Sequence, residues 1–296
     1  MNFLKLIGST PIIRLKDLSS KGIIFAKMEY LNPGGSIKDR MAYYIISKAE
    51  ENGLINENTT IIEATSGNTG ISLAMISVIK GYKCIIVMPE GMSKERIKLM
   101  KMFKAEVILT PFEKGLKGAM EKVDELAKDI KNVFLPKQFE NPLNIEAQEN
   151  LTGKEILDQL KVKIDAFIAG VGTAGTLMGI GKALKKRYTN IKIIAVEPEA
   201  SAVISGKPPG IHKIQGIGDG FIPPLLDLNF IDWVETVSDS EAFYMMKYLA
   251  RKYGIISGIS SGANVSAALK AMEKLPKGSN VLTILPDKGE RYLSII

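Results

Sequence analysis

The segment TTIIEATSGNTGISLAMISVIK, Thr59–Lys80, contains in succession a β-branched run, a loop of small polar residues and an apolar helical pattern. The run Thr59–Ala64 predicts a buried strand and Thr69–Lys80 predicts a helix, because strands and helices differ in length and apolar period. The same order of strand, glycine-rich loop and helix recurs around GVGTAGT, Gly170–Thr176. Two such units predict two α/β halves with a ligand between them, where strand ends meet helix starts.

The alternation of short β-branched runs with longer amphipathic stretches continues through most of the chain. This pattern is typical of βαβ units and parallel sheets, so the predicted fold class is α/β. The predicted strands are Gly22–Lys27, Thr59–Ala64, Cys84–Met88, Glu106–Leu109, Ala166–Ala169, Lys192–Val196, Asp232–Val237 and Asn280–Leu285. The predicted helices are Ile37–Glu51, Thr69–Lys80, Leu116–Lys131, Thr176–Arg187, Glu241–Tyr253 and Ala263–Leu275.

The composition is that of a soluble globular protein, with 46% hydrophobic and 24% charged residues among 296. One histidine and one cysteine exclude an internal disulfide and zinc sites of four cysteines, paired cysteines and histidines, or three histidines. We therefore predict no metal site. Cys84 is predicted to lie in the core. His212 is predicted to be structural, within the Gly/Pro-rich loop Ser205–Pro224, whose length is typical of a functional loop. Acid–base chemistry then falls mainly to lysine, aspartate, glutamate or a cofactor.

The net charge of +7, from 39 Lys and Arg against 32 Asp and Glu, raises the question of a nucleic-acid or anionic-lipid partner. The basic residues are scattered, and the denser groups Lys94–Lys104 and Lys182–Lys192 have the apolar spacing of solvated helices. The N-terminal segment lacks a signal peptide's basic region, and no run approaches the ~20 apolar residues of a membrane span. The sequence predicts a cytoplasmic protein without a nucleic-acid or membrane partner.

The motif NPGGSIKDR, Asn32–Arg40, places a lysine beside a helix start. Ser36 followed three residues later by Asp39 matches a capping box, so a helix is predicted to begin at Ile37 with Lys38 in its first turn. The positive helix end and burial would lower the pKa of this lysine from about 10.4. A partly neutral amine is a nucleophile that forms Schiff bases with aldehydes such as pyridoxal phosphate. An exposed lysine beside a cap is the other interpretation.

Three loops rich in glycine and hydroxyl groups precede predicted helices. TSGNTG, Thr65–Gly70, offers backbone N–H groups and small hydroxyls, which form a cradle for a carboxylate or phosphate, or else an ordinary capping turn. In GVGTAGT, the hydroxyls of Thr173 and Thr176 suit a phosphate monoester. GISSG, Gly258–Gly262, presents Ser260 or Ser261 just before a helix, which by itself is the position of an N-cap.

The loop GVGTAGT leaves a competing interpretation open. It satisfies G-x-G-x-x-G between a strand and a helix, and Glu197 ends the next strand, where a dinucleotide fold places its ribose-binding acid. A dinucleotide-binding oxidoreductase is therefore the alternative from a different class. That interpretation gives no role to Lys38 or to Thr65–Gly70.

In combination, these motifs resemble those of the cysteine synthases, or O-acetylserine sulfhydrylases, in the tryptophan-synthase-β-like (fold type II) family of pyridoxal-phosphate (PLP) enzymes. The resemblance implies two three-layer αβα domains with mostly parallel twisted sheets and PLP in the cleft between them. It implies a smaller domain at 35–142, with a mobile part at about 84–130, and a larger one at 1–34 plus 143–296. It covers nearly the whole chain and rests on the ordered motifs IGSTP, NPGGSIKDR, EATSGNTG, KQF, GVGTAGT, KIQGIGDGFIP, GISSGA and GERYLS.

The resemblance also implies a role for each motif. Lys38 would be the catalytic residue, both as the Schiff-base lysine and as the general base. Asn68 would hydrogen-bond the ring hydroxyl of the cofactor, and Ser260 would face its pyridine nitrogen. The substrate α-carboxylate would be bound by Thr65, Ser66, Gly67, Asn68, Thr69 and Gln138. The cofactor phosphate would be bound by Gly172, Thr173, Ala174, Gly175 and Thr176.

Ala174 departs from the family pattern, which usually has a glycine at this point of the phosphate loop. A methyl group is tolerated there only if the residue avoids φ > 0. Keeping Ala174 among the phosphate contacts therefore amounts to expecting a negative φ.

The implied activity is a PLP-dependent β-replacement that forms L-cysteine from O-acetyl-L-serine and sulfide through an α-aminoacrylate intermediate. A serine facing the ring nitrogen agrees, because a neutral pyridine is a weaker electron sink that favours prompt loss of a β-leaving group. The alternative of the same chemistry is an O-acetylserine- or serine-dependent cystathionine β-synthase, with homocysteine as nucleophile. Such enzymes are commonly homodimers, and some bind the C-terminal tail of a serine acetyltransferase in the cleft.

Overall fold

The computed structural model describes residues 3–295; Met1, Asn2 and Ile296, which belong to the larger predicted segment, lie outside the described residues. The strands are β1 Ile12–Leu15, β2 Ile23–Lys27, β3 Thr60–Ala64, β4 Lys83–Pro89, β5 Glu106–Thr110, β6 Val133–Phe134, β7 Ala166–Gly170, β8 Lys192–Pro198, β9 Trp233–Val237 and β10 Asn280–Ile284. The helices are α1 Lys38–Glu51, α2 Asn68–Lys80, α3 Lys94–Met102, α4 Gly115–Asp129, α5 Leu143–Ala147, α6 Lys154–Gln159, α7 Gly175–Arg187, α8 Asp239–Tyr253 and α9 Ile259–Lys274. None of the helices within 3–295 is both long and apolar enough to cross a membrane.

The strands form two sheets. The larger has the order β1-β2-β10-β7-β8-β9, in which only the edge strand β1 is antiparallel to its neighbour. The smaller has four parallel strands in the order β5-β4-β3-β6. Parallel neighbours need a crossover connection, so helices alternate with most of the strands. The predicted α/β class with mostly parallel sheets is confirmed.

The six-stranded sheet is the middle of three layers. Successive residues of β7 face opposite cores, because side chains alternate between the two faces of a sheet. Ala166 and Ile168 lie in a core shared with α8 and α9, whereas Phe167 and Ala169 lie in a core shared with α6 and α7. Helices therefore cover both faces of this sheet.

The four-stranded sheet is covered in the same way. Ile61 of β3 packs in a core with residues of α1, α2 and α3, whereas Ile62 and Ala64 pack with α4 on the opposite face. Cys84 of β4 is buried in the first of these cores, which confirms its predicted position. Burial raises the pKa of its thiol to about 12, so this thiol stays protonated and unreactive at neutral pH.

One cleft lies where the two sheets present their carboxyl ends. Residues that end or directly follow β3, β7 and β10 line it, and α1, α2, α7 and α9 begin beside it. The first N–H groups of each helix have no intrahelical partner and carry positive partial charge. The fold therefore gathers several helix N-termini around one space, which suits a ligand with more than one anionic group.

Candidate active site

The cleft collects the residues singled out in the sequence. It is partly open to solvent and has a cavity volume of about 60 Å³. Gly67 and Gly175 do not line it but adjoin lining residues in the same loops. The other predicted site residues all line it: Lys38, Thr65, Ser66, Asn68, Thr69, Gln138, Gly172, Thr173, Ala174, Thr176 and Ser260.

Lys38 is the first residue of α1, and its side chain lines the cleft. Its ammonium group makes no hydrogen bond or ion pair with the residues that the structure describes. Burial lowers the pKa of Lys38, and the negative charges of Asp219 and Asp287 oppose this shift. The predicted direction is thus confirmed, with burial as its main cause. More of this amine is neutral and nucleophilic near pH 7 than of an exposed lysine.

The predicted capping box at the start of α1 is wrong. The helix begins one residue later than predicted, at Lys38, and has no side-chain cap. Ser36 Oγ accepts a hydrogen bond from the Lys38 N–H at 3.3 Å. Asp39 instead accepts from the Gly34 N–H at 2.6 Å and from the Ser72 hydroxyl at 2.5 Å. Because Ser72 lies on α2, the packing of α1 against α2 draws this carboxylate away from the helix start.

A buried ion network fixes the first turn of α1. Arg40 donates to both oxygens of Glu29 at 2.7 Å and to Glu155 at 2.8 Å, and Lys27 also pairs with Glu155. Arg40 and Glu29 are buried, where an unpaired charge costs several kcal/mol. Since Arg40 follows Lys38 by two residues, the network holds the lysine at one position beside the cleft.

The start of α2 and the loop before it form a polar wall with Gln138. Thr65 Oγ1 accepts a hydrogen bond from the Gly67 N–H at 3.0 Å, which closes the turn. The Thr69 hydroxyl donates to Gln138 Oε1 at 2.6 Å, and Gln138 Nε2 donates to the Ala64 carbonyl at 2.9 Å. With the N–H groups of the helix start beside it, this wall has the chemistry of a carboxylate site.

The loop before α7 contains two glycines that leave no room for side chains. A Cβ on Gly172 would lie 2.5 Å from the Gly216 carbonyl oxygen, and one on Gly175 would lie 2.0 Å from Asn144 Oδ1. Thr173 Oγ1 accepts a hydrogen bond from Asn144 Nδ2 at 2.9 Å. The glycines therefore let the start of α7 pack closely against the Gly216 carbonyl and Asn144. The first N–H groups of the helix have no intrahelical partner, which is the arrangement that binds phosphates at helix N-termini.

The expectation of a negative φ at Ala174 is wrong. The residue has φ 69° and ψ −13°, the left-handed conformation, which costs an L-residue about 1–2 kcal/mol. Its methyl group is buried among apolar residues between the six-stranded sheet and α7. Burial of the methyl group thus offsets part of the strain.

Replacing Ala174 with glycine should change the free energy of unfolding by less than about 1 kcal/mol. Glycine relieves about 1–2 kcal/mol of strain but loses about 0.8 kcal/mol of methyl burial and adds about 0.5–1 kcal/mol of chain entropy. Urea unfolding of both proteins measures the difference. A loss above about 2 kcal/mol would contradict this balance, because packing of the methyl group would then outweigh the strain.

Asn68 and Ser260 lie at the starts of α2 and α9. Asn68 Nδ2 donates to Asp287 Oδ2 at 2.7 Å, and Arg291 donates to Asn68 Oδ1. The amide is thus oriented by residues near the C-terminus, and its second N–H hydrogen remains for a ligand. The Ser260 hydroxyl makes no hydrogen bond with the residues described, so it too can serve a ligand.

Sequence reasoning missed Asp219, which lies in the loop Ser205–Pro224 and lines the cleft. Within residues 3–295 its carboxylate accepts no hydrogen bond. Burial raises the pKa of Asp219, and the charges of Lys38 and His212 oppose this shift. The signal available in the sequence was a single acidic residue inside the glycine-rich stretch GIGDG. A glycine-rich loop brings its few side chains close to a ligand, so this residue could have been predicted to face the cleft.

Arg96 on α3 was also missed, although it spans the cleft. It donates to the Ser66 carbonyl at 3.5 Å, to Gln215 Oε1 and to the Tyr292 hydroxyl at 2.6 Å, and its guanidinium lies 4.9 Å from the Tyr292 ring centroid. It is only 1% exposed. No local signal pointed to Arg96, because Lys94–Lys104 has the pattern of a solvated basic helix.

The geometry does not support the dinucleotide alternative. Glu197 accepts hydrogen bonds from the N–H groups of Ile204 and Ser205 at 2.8 and 3.0 Å and from the Ser205 hydroxyl at 2.5 Å. The carboxylate that a dinucleotide fold would use to bind ribose is therefore already hydrogen-bonded to the loop that follows β8. Both His212 ring nitrogens bond to backbone atoms of their loop, as expected of a structural residue. No group of three or more His, Cys, Asp or Glu within 3–295 has the arrangement of a metal site.

Known proteins with similar sequences and structures agree with this geometry. The cysteine synthase of Staphylococcus aureus (strain Mu50) is 50% identical over 296 residues, which cover 99% of this chain and 95% of that protein. The O-acetylserine dependent cystathionine beta-synthase of Helicobacter pylori has a TM-score of 0.95 and 44% identity, covering 99% of this chain and 97% of that one. A hydrogen sulfide-producing enzyme of Fusobacterium nucleatum has a TM-score of 0.95 and 45% identity, covering 98% and 99%. The family model for pyridoxal-phosphate dependent enzymes matches residues 3–287, and the chain belongs to that family.

Proposed function

We propose that this enzyme forms L-cysteine from O-acetyl-L-serine and sulfide by replacing the β-substituent of the amino acid. The proposal rests on one cleft that brings together three groups: a lysine of lowered pKa, polar groups at the start of α2 that suit a carboxylate, and the N-terminus of α7, which suits a phosphate. The 50% identity to a cysteine synthase supports the same activity.

Pyridoxal phosphate fits the residues of this cleft. Thr173, Ala174 and Thr176 at the start of α7 line it, so the N–H groups of that helix start, which have no intrahelical partner, lie beside the cleft and suit a phosphate. Lys38 would hold the aldehyde carbon, Asn68 the ring hydroxyl and Ser260 the pyridine nitrogen. When bound, the cofactor supplies the electron sink that stabilises negative charge at the substrate α-carbon. The phosphate would be held by Gly172, Thr173, Ala174, Gly175 and Thr176.

The residues of the chain would supply orientation and proton transfer. The stretch Thr65–Thr69 and Gln138 would bind the substrate α-carboxylate and so fix the direction of the α-C–H bond. Lys38 Nζ would then take the α-proton, and its lowered pKa makes more of this amine neutral than of an exposed lysine. Arg96, which spans the cleft to Tyr292, would exclude water from the reacting carbons.

The domain division stays a proposal with the same boundaries, 35–142 and 1–34 plus 143–296, and with a mobile part at about 84–130. Arg96 lies in that mobile part, so its bonds to Ser66 and Tyr292 would form when the cleft closes. A homodimer and a serine acetyltransferase tail in the cleft stay predictions from the family resemblance, and a cytoplasmic location stays a prediction from the sequence.

Asp219 favours a second candidate, an O-acetylserine-dependent cystathionine β-synthase. A carboxylate that faces the cleft without a hydrogen-bonding partner among the described residues suits a nucleophile that carries an ammonium group or yields a proton. Homocysteine has both an ammonium group and a thiol proton, whereas hydrosulfide is an anion. The structural similarity to the Helicobacter pylori enzyme supports this candidate.

Steady-state turnover separates the two candidates. O-acetylserine, O-phosphoserine and serine are each combined with sulfide, thiosulfate and homocysteine, and kcat/KM is compared across the nine pairs. The proposal predicts the highest value for O-acetylserine with sulfide. A higher value with homocysteine would favour the second candidate, and no turnover with any pair would contradict both.

A further inference from the structure

A buried glutamate lies behind the wall that would bind the substrate carboxylate. Glu63 is the penultimate residue of β3 and is 5% exposed. Its Oε2 accepts a hydrogen bond from the Gln138 N–H at 3.1 Å, and its Oε1 accepts one from the Ala64 N–H at 3.0 Å. Glu63 does not line the cleft, so it has no direct contact with a ligand there.

Gln138 is held from three directions. Its N–H donates to Glu63, its carbonyl accepts from Asn144 Nδ2 at 2.8 Å, and its side chain bridges Thr69 and the Ala64 carbonyl. Glu63 is the only one of these partners that can carry a charge. A hydrogen bond to an ionised carboxylate is roughly twice as strong as a neutral one, so Glu63, once it is ionised, has the largest control over the position of this peptide.

Gln138 borders open space on two sides. A second cavity of about 80 Å³ lies behind the wall, and Gln138 and Phe139 line both this cavity and the cleft. Side chains from α4, Met120 and Val123, line its far side. Atoms that border a void lack packing partners there. The position of the wall therefore depends on its hydrogen bonds.

We propose that Glu63 is a positioning residue for the substrate α-carboxylate, acting through the Gln138 backbone. The inference rests on the proposed function, because it requires Gln138 to bind that carboxylate. Movement of the Gln138 peptide toward the rear cavity would withdraw its side chain from Thr69 and from the substrate. The position of Lys38 would stay the same, because Lys38 lies on α1 and makes no hydrogen bond with this wall among the described residues.

The charge of Glu63 changes within an accessible pH range. Burial raises its pKa to about 8, while the N–H groups of Gln138, Ala64 and Lys137 oppose the shift and the charge of Glu140 adds to it. Ionisation above pH 8 strengthens both of its hydrogen bonds. The other charged or titratable groups around it are Asp124 on α4, Lys137 in the loop and Cys84 on β4.

Ionisation of Glu63 lowers its contribution to the stability of the fold, although the same ionisation is expected to strengthen substrate binding. Because the folded-state pKa lies above the usual 4.5, the folded protein holds the proton more tightly than the unfolded chain. The associated stability is complete below about pH 4.5 and is lost as the pH rises through about 8. The contribution of Glu63 to stability therefore falls as the pH rises towards about 8, whereas substrate affinity is expected to rise as Glu63 becomes ionised.

The Glu63→Gln variant tests the proposal. Glutamine keeps the size of the side chain but replaces one acceptor oxygen by a donor, so one backbone N–H loses its partner. We expect KM for O-acetylserine to rise about tenfold while kcat changes by less than about twofold. The ratio of variant to wild-type KM should widen from pH 7 to pH 9, across the pKa of about 8. Titration of the substrate changes KM of both enzymes equally, so its effect cancels in the ratio of the two KM values.

Two further variants exclude a merely structural role. Glu140→Gln removes an exposed carboxylate from the same loop and should leave KM unchanged at pH 9, where Glu63 is largely ionised. Because the charge of Glu140 helps to raise the pKa of Glu63, its removal should move the pH dependence of KM only towards lower pH. In a Gln138→Ala background, Glu63→Gln should add no further rise in KM, because the side chain through which it acts is gone. Should Glu63→Gln fail to fold, Glu63→Asp, which keeps the charge but shortens the reach, should give the same rise in KM.

Failure of the inference is distinct from failure of the proposed function. An unchanged KM in a folded Glu63 variant, or an equal rise in the Gln138→Ala background, would overturn the positioning role while the wild type still makes cysteine. A wild-type enzyme that does not turn over O-acetylserine would overturn the proposed function itself.

Discussion

Replacing Lys38 with alanine is expected to lower kcat by a factor of about 10³ or more. The side chain lines the cleft, has no partner among the described residues and has a pKa lowered by burial. The variant loses the cofactor attachment and the proton acceptor at once, and alanine can replace neither. Steady-state turnover of O-acetylserine with sulfide measures the loss, and the visible absorbance of the purified protein measures cofactor attachment.

The matched control for this variant is Lys48→Ala, on the same helix α1 but facing solvent, where it pairs with Glu51. It removes the same side chain and charge, and such exposed pairs are worth only about 0–1 kcal/mol. We expect its turnover and absorbance to match the wild type. Turnover of Lys38→Ala within tenfold of the wild type would contradict the assignment of Lys38 as the base.

Replacing Gly172 with alanine is expected to weaken cofactor binding about 10- to 100-fold, because steric overlap of the new methyl group costs roughly 1–3 kcal/mol. The added Cβ would lie 2.5 Å from the Gly216 carbonyl oxygen. Because that neighbour is backbone, it cannot rotate away as a side chain does, and the loop before α7 must shift. Titration of the apoprotein with pyridoxal phosphate, followed by absorbance, measures the dissociation constant.

Gly53→Ala controls for the general cost of a new methyl group. Gly53 has φ 67°, a Cβ added to it would meet no other group within 4 Å, and it lies after α1, outside the cleft lining. Its substitution should destabilise the protein through backbone strain alone and leave cofactor affinity unchanged. Equal cofactor affinity of Gly172→Ala and the wild type would show that the phosphate binds elsewhere.

The strands and long helices were predictable because their apolar periods are local. Each of the eight predicted strands is present, and the six predicted helices differ from the observed ones by a few residues at their ends. The edge strand β1, the two-residue β6 and the short helices α5 and α6 were not predicted. These elements are too short to have a period of their own, and they are fixed by contacts with distant parts of the chain.

The site residues were predictable where a single local motif indicates their chemical role. The loops Thr65–Gly70 and Gly170–Thr176 follow from a strand end, a helix start and polar residues between them, whereas Lys38 and Ser260 follow from a helix start beside a polar loop. Arg96 and Asp219 were not predictable in this way, because each acts through partners far along the chain. The φ of Ala174 was mispredicted because a buried methyl group offsets strain that backbone sterics alone would forbid.

The most direct test of the account is the location of the cofactor attachment. Treating the holoenzyme with borohydride makes the bond between the lysine and the cofactor permanent, and peptide mass spectrometry then identifies the modified residue. The account predicts that visible absorbance disappears on reduction and that the cofactor mass is found on the peptide containing Lys38. Finding it on another lysine, or on none, would contradict the assignment on which the proposed chemistry depends.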